Sequence, residues 1–225
     1  KAKSYAQLEI IEIDFAHAIG QLELDKQKIL SSLLSEYPSI QLMQDGRYQT
    51  PNNRLPLPSV IQRIALITAA NSDGQRDFKN IVLLNEYGYS FSIHEFLTVI
   101  QGNNASNMMI EKLNLIEKEA YDIVVIVRGG GSDADFSAFN EYELSKTVAL
   151  FPIPIVTGIG HDRNTSIVDL MARQLRTPTE VGKFIIEKNL SFEFKIQLLH
   201  DRFFNAISKL VEKRKNTLEH LKQRV

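Results

Sequence analysis

Between residues 64 and 176 the apolar positions alternate between two periods. The runs IALIT (64–68), YDIVVIV (121–127) and IPIVT (153–157) are apolar at consecutive positions, as in strands buried on both faces of a parallel sheet. YSFSIHEFLTVI (89–100) reads as another strand of the series. Between these runs the spacing turns helical. Phe78, Ile81 and Val82 face inward from a helix opening near Asp73, and Met109, Leu113 and Ile116 form one stripe of the next. A third helix is expected around 138–150, and a fourth carries Ile167, Leu170, Met171 and Leu175, with Ser166 and Asp169 spaced as a capping box. Four βα units in succession predict an α/β fold: a parallel, three-layer, Rossmann-like sheet with helices on both faces.

The flanks follow other patterns. Residues 22–36 read as a helical connection, and TPNNRLPLP (50–58) is too rich in Pro and Asn for a regular element. Near the end Ile196, Leu199, Phe203, Ile207, Leu210, Leu218, Leu221 and Val225 recur at gaps of 3, 4, 4, 3, 8, 3 and 4, the apolar stripe of a long helix.

With 225 residues and 44% hydrophobic content, the chain can build one sizeable core. Cys is absent, which excludes disulfides and thiolate metal sites and fits a reducing, cytoplasmic setting. No apolar run approaches the roughly 20 residues of a membrane span, so no membrane partner is expected. The first residue is Lys1 and the last helical pattern is unfinished, as expected of a piece of a longer protein. Net charge is −1, but residues 181–225 hold ten Lys and Arg against five Asp and Glu; that local +5 leaves −6 for the rest. A basic tail on an acidic body fits a polyanionic partner, or simply a solvated helix face.

In an open parallel sheet ligands bind beyond the carboxyl ends of the strands, so four loops matter: AANSDGQRD (69–77), QGNNAS (101–106), RGGGSD (128–133) and GIGHDRN (158–164). Three of them carry a group suited to phosphate chemistry. Asp77 is a candidate acid or orienting carboxylate, Arg128 a bidentate cation, and His161 a proton carrier near neutral pH. The glycines after Arg128 let backbone N–H groups approach something closely: a phosphate, a carboxylate, or the next element of the protein itself. RGGGS is neither of the familiar nucleotide-binding glycine patterns, and Gln101 and Gly102 stand where a dinucleotide site places an acidic residue. No His/Asp/Glu cluster has metal-ligand spacing, so a two-metal nuclease site is not indicated.

The segments VRGGGSDADFSAFNEYELSK (127–146), FPIPIVTGIGHDRNTSIVDLMA (151–172) and RTPTE (176–180) closely resemble the catalytic domain of the exodeoxyribonuclease VII large subunit. ITAANSDGQRDF (67–78) and VIQGNNASNMMIEKL (99–113) do so in the same order, and the likeness runs over roughly residues 5 to 190. The resemblance places catalytic roles on Asp77, Arg128, His161 and Asn164, with substrate-binding roles at Gln101, Gly102, Gly129, Gly130, Gly131, Ser132 and Asp162. At Asn164 the family pattern has Asp, and at Asp162 usually Glu. Asn holds a hydrogen bond but carries neither charge nor proton.

The resemblance implies processive hydrolysis of single-stranded DNA from both ends to short oligonucleotides, with no cofactor and no strict need of a divalent metal. It also implies the domain plan: 1–25 as the end of a DNA-gripping OB-fold with YAQLEIIEID (5–14) as junction strand, 26–60 as helical linker and loop, 61–180 as the α/β catalytic domain, and 181–225 as the start of a basic coiled-coil helix that binds several exodeoxyribonuclease VII small subunits. Two other classes stay open. One is a DNA-binding or scaffold subunit whose turnover is weakened at Asn164. The other, less favoured by the basic tail, is an α/β enzyme acting on a small phosphorylated metabolite.

Overall fold

The computed structural model describes residues 20–102, 104–129, 133–159 and 165–222. A helix α1 covers 20–36, followed by a small antiparallel hairpin of β1 (Gln41–Leu42) and β2 (Tyr48–Gln49). The main unit then runs β3 (Arg63–Thr68), α2 (Asp73–Leu83), β4 (Ser92–Leu97), α3 (Ala105–Asn114), β5 (Ile123–Val127), a 3-10 segment (Asp133–Asn140), α4 (Tyr142–Leu150), β6 (Ile155–Gly158), α5 (Ile167–Met171), β7 (Arg173–Gln174) and α6 (Pro178–Lys222).

Five of these strands form one parallel sheet in the order β4-β3-β5-β6-β7. All five residues of β5 are buried, which is what its uninterrupted β-branched run required at the centre of a two-sided sheet. One face packs against α1, α3, α4 and α5 through residues such as Leu33, Met109, Leu113, Val148 and Met171. The other packs against α2 and α6 through Phe78, Val82, Val181 and Ile185. The α/β three-layer expectation is therefore the observed architecture.

Local boundaries depart from the sequence reading for identifiable reasons. The strand expected over 89–100 is paired only from Ser92 to Leu97, because its single neighbour β3 offers pairing partners from Arg63 to Thr68. The helix expected around 138–150 starts at Tyr142, after the 3-10 segment. The last helix of the series keeps its capping box, with Ser166 accepting from Asp169 N, but ends at Met171 because Ala172 is extended. Leu175 therefore leaves that helix and packs on the opposite face of the sheet. Between them lies β7, a strand missed in the sequence: two polar residues have no period to read, and pairing with Val156 and Thr157 makes them a strand.

The irregular loop after β2 is fixed by buried polar groups. Asn52 donates from Nδ2 to the carbonyls of Phe151 and Ile153, both at 2.8 Å, and its Oδ1 accepts from Ile155 N at 3.0 Å. Thr50 Oγ1 donates to Met171 O at 2.7 Å. α6 begins packed and ends bare. Its Asn189 exchanges two 2.8 Å hydrogen bonds with the backbone of Ile61, while the apolar stripe at Ile196, Leu199, Phe203, Ile207, Leu210 and Leu218 is exposed. Leu221 and Val225, the end of that expected stripe, lie outside what is described of side chains.

Candidate functional site

The second strand of the series, β4, lies outside the first, whereas β5 lies on the first strand's other side. At that reversal the loops after β3 and β5 diverge, which opens a crevice at the carboxyl ends of the strands. The structure has a cleft of about 770 Å³ there, walled by Ala69–Asp73 and Arg76 on one side, Leu97–Gln101 and Met108 on another, and Arg128 with Gly129 on the third.

Each wall has a local cause. Ser72 is the N-cap of α2: it is extended and its hydroxyl accepts from Gln75 N at 3.2 Å. Asn71, just before it, takes a positive φ of 56°, a left-handed conformation that Asn tolerates better than most residues. Its N–H donates to Gln75 Oε1 at 2.7 Å, and the Gln75 amide in turn hydrogen-bonds Glu95 of β4, which also pairs with Lys79. Asp73 in the first turn is paired with Arg76.

Two glycines bring backbone against backbone in the site. A Cβ built on Gly74 would lie 2.5 Å from both Arg128 C and Gly129 N, and one on Gly129 would lie 2.7 Å from Gly74 N. Backbone meets backbone here, so neither position accepts a side chain. Gly129 thus serves contact with the next element of the protein, seating the first turn of α2 against the end of β5.

Arg128, which follows the last residue of β5, is only 4% exposed. Its backbone N–H donates to Gly158 O at 3.3 Å, and its guanidinium carbon lies 4.3 Å from the centre of the Phe136 ring. The aromatic face supports the cation's position. Arg128 lines the cleft with its backbone against the first turn of α2, whose dipole is positive at that end, and the two together make the cleft suited to an anion.

The structure brings Arg128, Gly129 and Gln101 together in this cleft, with Gly102 exposed beside it at φ +90°. Asp77 sits apart, exposed one turn further along α2, while Asp73 lines the wall. The helix opens at Asp73 as its apolar spacing predicts, so the end of the 69–77 stretch, Asp77 included, is helical and not loop. His161, Asp162, Asn164, Gly130, Gly131 and Ser132 lie outside the described residues. The chain after 164 is anchored from three sides: Lys26 Nζ donates to Thr165 O at 3.2 Å, Asn140 Oδ1 accepts from Ile167 N at 3.0 Å, and Asp169 Oδ2 accepts from Ser166 N and Oγ at 3.1 and 2.7 Å. Asp169 is 1% exposed, and burial pushes its carboxyl above the ordinary value.

Sequence reasoning missed Asp73, Arg76 and the Thr98–Ile100 wall. Only the ANSD stretch (70–73), an Asn and a Ser before an Asp, gave a signal, that of an N-cap. Among the described residues no three His, Asp or Glu side chains are grouped as metal ligands, and no helix is long and apolar enough to cross a membrane.

Comparison with known proteins gives a consistent result. The family described as "Exonuclease VII, large subunit" matches residues 48–225. The exodeoxyribonuclease 7 large subunit of Latilactobacillus sakei is 29% identical over 197 residues, which cover 85% of this chain and 43% of that protein. That of Nitrosomonas eutropha is 30% identical over 82% of this chain and 41% of its own length, and that of Oceanobacillus iheyensis 26% over 94% and 48%. The chain thus spans a little under half the length of these relatives.

Proposed function

Because the chain belongs to the exonuclease VII large-subunit family, we propose that the switch-point cleft is its nuclease site, where phosphodiester bonds of single-stranded DNA are hydrolysed. The observation that carries the reading is Arg128: an arginine at the end of the central strand that lines the crevice where this sheet topology places ligands, its backbone against a helix amino terminus. It is suited to stabilise charge developing on a phosphate.

His161, which follows β6 in the chain, would act as general base toward water or as acid toward the leaving oxygen, and Asp77 would orient it or Arg128. Asn164 would supply a hydrogen bond where the family pattern has a carboxylate. Attack from both DNA ends, oligonucleotide products and independence of added metal belong to the same proposal. So do a cytoplasmic setting and small subunits on the exposed apolar stripe of α6, since an amphipathic helix face of that length favours helical partners.

Replacing Arg128 tests the assignment. Arg128→Ala in the full-length protein with its small subunit should lower turnover by about 100-fold. It should also lower stability by about 1–2 kcal/mol, because the buried guanidinium packs on Phe136. Turnover per folded molecule that stays near wild type would make Arg128 structural and remove the reading.

A further inference from the structure

A second cleft, of about 540 Å³, lies at the other edge of the sheet, between the β1–β2 hairpin and the α5–β7 segment. Three arginines line it: Arg47 from the hairpin, Arg54 from the following loop and Arg173 from β7. Tyr48, Asn53 and Gln174 complete its polar wall.

The charge balance of this cleft is not that of an ion-pair network. Arg47 is paired with Asp45 at 2.6 Å and contributes little net charge. Arg54 and Arg173 are different. Among the described residues no carboxylate pairs with either, and the Arg173 guanidinium has only a 3.4 Å hydrogen bond to the Asn53 carbonyl. The other acid in the wall, Asp169, is buried and turned toward Ser166, and burial favours its neutral form. Two uncompensated guanidiniums in one groove attract phosphate, which they can each bind through two N–H groups.

Its position connects it to the first cleft. Gln174 of the groove wall reaches Thr165 Oγ1 at 3.4 Å, so the groove borders the residues that lead into α5. The sheet order puts β5 and β6 between β3 and β7. At about 4.8 Å between strands, β3 and β7 lie roughly 14 Å apart across the sheet, about four nucleotides of a stacked strand.

We propose that Arg54 and Arg173 form a backbone-binding groove that holds the sugar–phosphate chain of single-stranded DNA about four nucleotides from the bond being cut. The proposal rests on the nuclease reading for its distance from the cut, but its binding component can be measured without turnover. It explains why charged side chains with no acidic partner collect in a loop and a two-residue strand remote from the first cleft.

The test is the salt dependence of oligothymidylate binding by the full-length protein with its small subunit, under chelation and at low temperature. For single strands the slope of log affinity against log salt steepens by about 0.7 for every phosphate neutralised. Arg54→Ala and Arg173→Ala should each make it shallower by that amount, and the double variant by about 1.4. Arg54→Lys should retain the wild-type slope. Arg54 is exposed and its side chain has no partner among the described residues, so its variants are expected to fold, and a thermal melt checks this. Unchanged slopes in folded Arg54→Ala and in the double variant would overturn the groove. A reduced slope in a protein whose wild type cuts no DNA would keep the groove and remove the nuclease reading, which separates the two failures.

Discussion

Gly74→Ala perturbs the site where α2 meets the end of β5. The added Cβ would lie 2.5 Å from Arg128 C and Gly129 N and 2.8 Å from Arg128 O, all backbone atoms with no rotamer to give way. Restoring ordinary contact at 3.4 Å requires the first turn of α2 and the end of β5 to part by about 0.9 Å. Such overpacking costs about 1–3 kcal/mol, and Ala's better helix propensity returns at most about 1 kcal/mol, leaving a loss of about 1–2 kcal/mol. For a chain of this size that lowers the melting temperature by roughly 3–6 °C. The larger consequence is for Arg128, since a displacement near 1 Å in a positioned group reduces rate by about 100-fold. Thermal melts and single-turnover cleavage of labelled single-stranded DNA measure the two effects on the same preparation. Gly20→Ala is the control, because a Cβ there meets nothing within 4 Å in helix α1. Gly74→Ala that melts and cleaves like wild type would show that the contact between Gly74 and Gly129 does not set the site.

Asp77→Ala should reduce turnover at least ~10-fold more than Asp73→Ala, because Asp73 is already paired with Arg76 while Asp77 has no partner among the described residues and is available to orient another group. Equal effects in steady-state assays would count against a role for Asp77. At the opposite end of the sheet, burial pushes the Asp122 carboxyl up, but hydrogen bonds from the Arg63 guanidinium and from the N–H groups of Arg63 and Gln62 outweigh it and hold it below the ordinary 3.8. A depressed native value means stability that is complete at neutral pH and lost as pH falls through that native value. Urea midpoints for wild type and Asp122→Asn should therefore differ most at neutral pH and converge on acidification; a difference independent of pH would show that the charge is not what stabilises.

The strands and helices around the core were legible because burial on two faces leaves β-branched runs such as 123–127 and helical stripes such as Met109 and Leu113. β7 was not, since its Arg173 and Gln174 become a strand only by pairing with β6. Arg128 could be found from the sequence because its place after a buried strand fixes it at a carboxyl end. The role of Gly129 could not. Its neighbour Gly74 lies 55 positions earlier, and nothing local to either glycine records that their backbones touch. The same applies to the arginine groove, whose members come from a hairpin, a loop and the unpredicted strand. Asp77 shows the converse, a residue that both the loop reading of 69–77 and the family pattern pick out and that the structure puts on an exposed turn of α2 outside the cleft lining.

The most direct test of the nuclease reading is to give end-labelled single-stranded DNA to the full-length protein with its small subunit in the presence of a chelator. The account predicts progressive conversion to short oligonucleotides from substrates labelled at either end, and loss of that conversion in Arg128→Ala. Cleavage that begins only when magnesium or manganese is supplied, or that persists undiminished in folded Arg128→Ala, would contradict it.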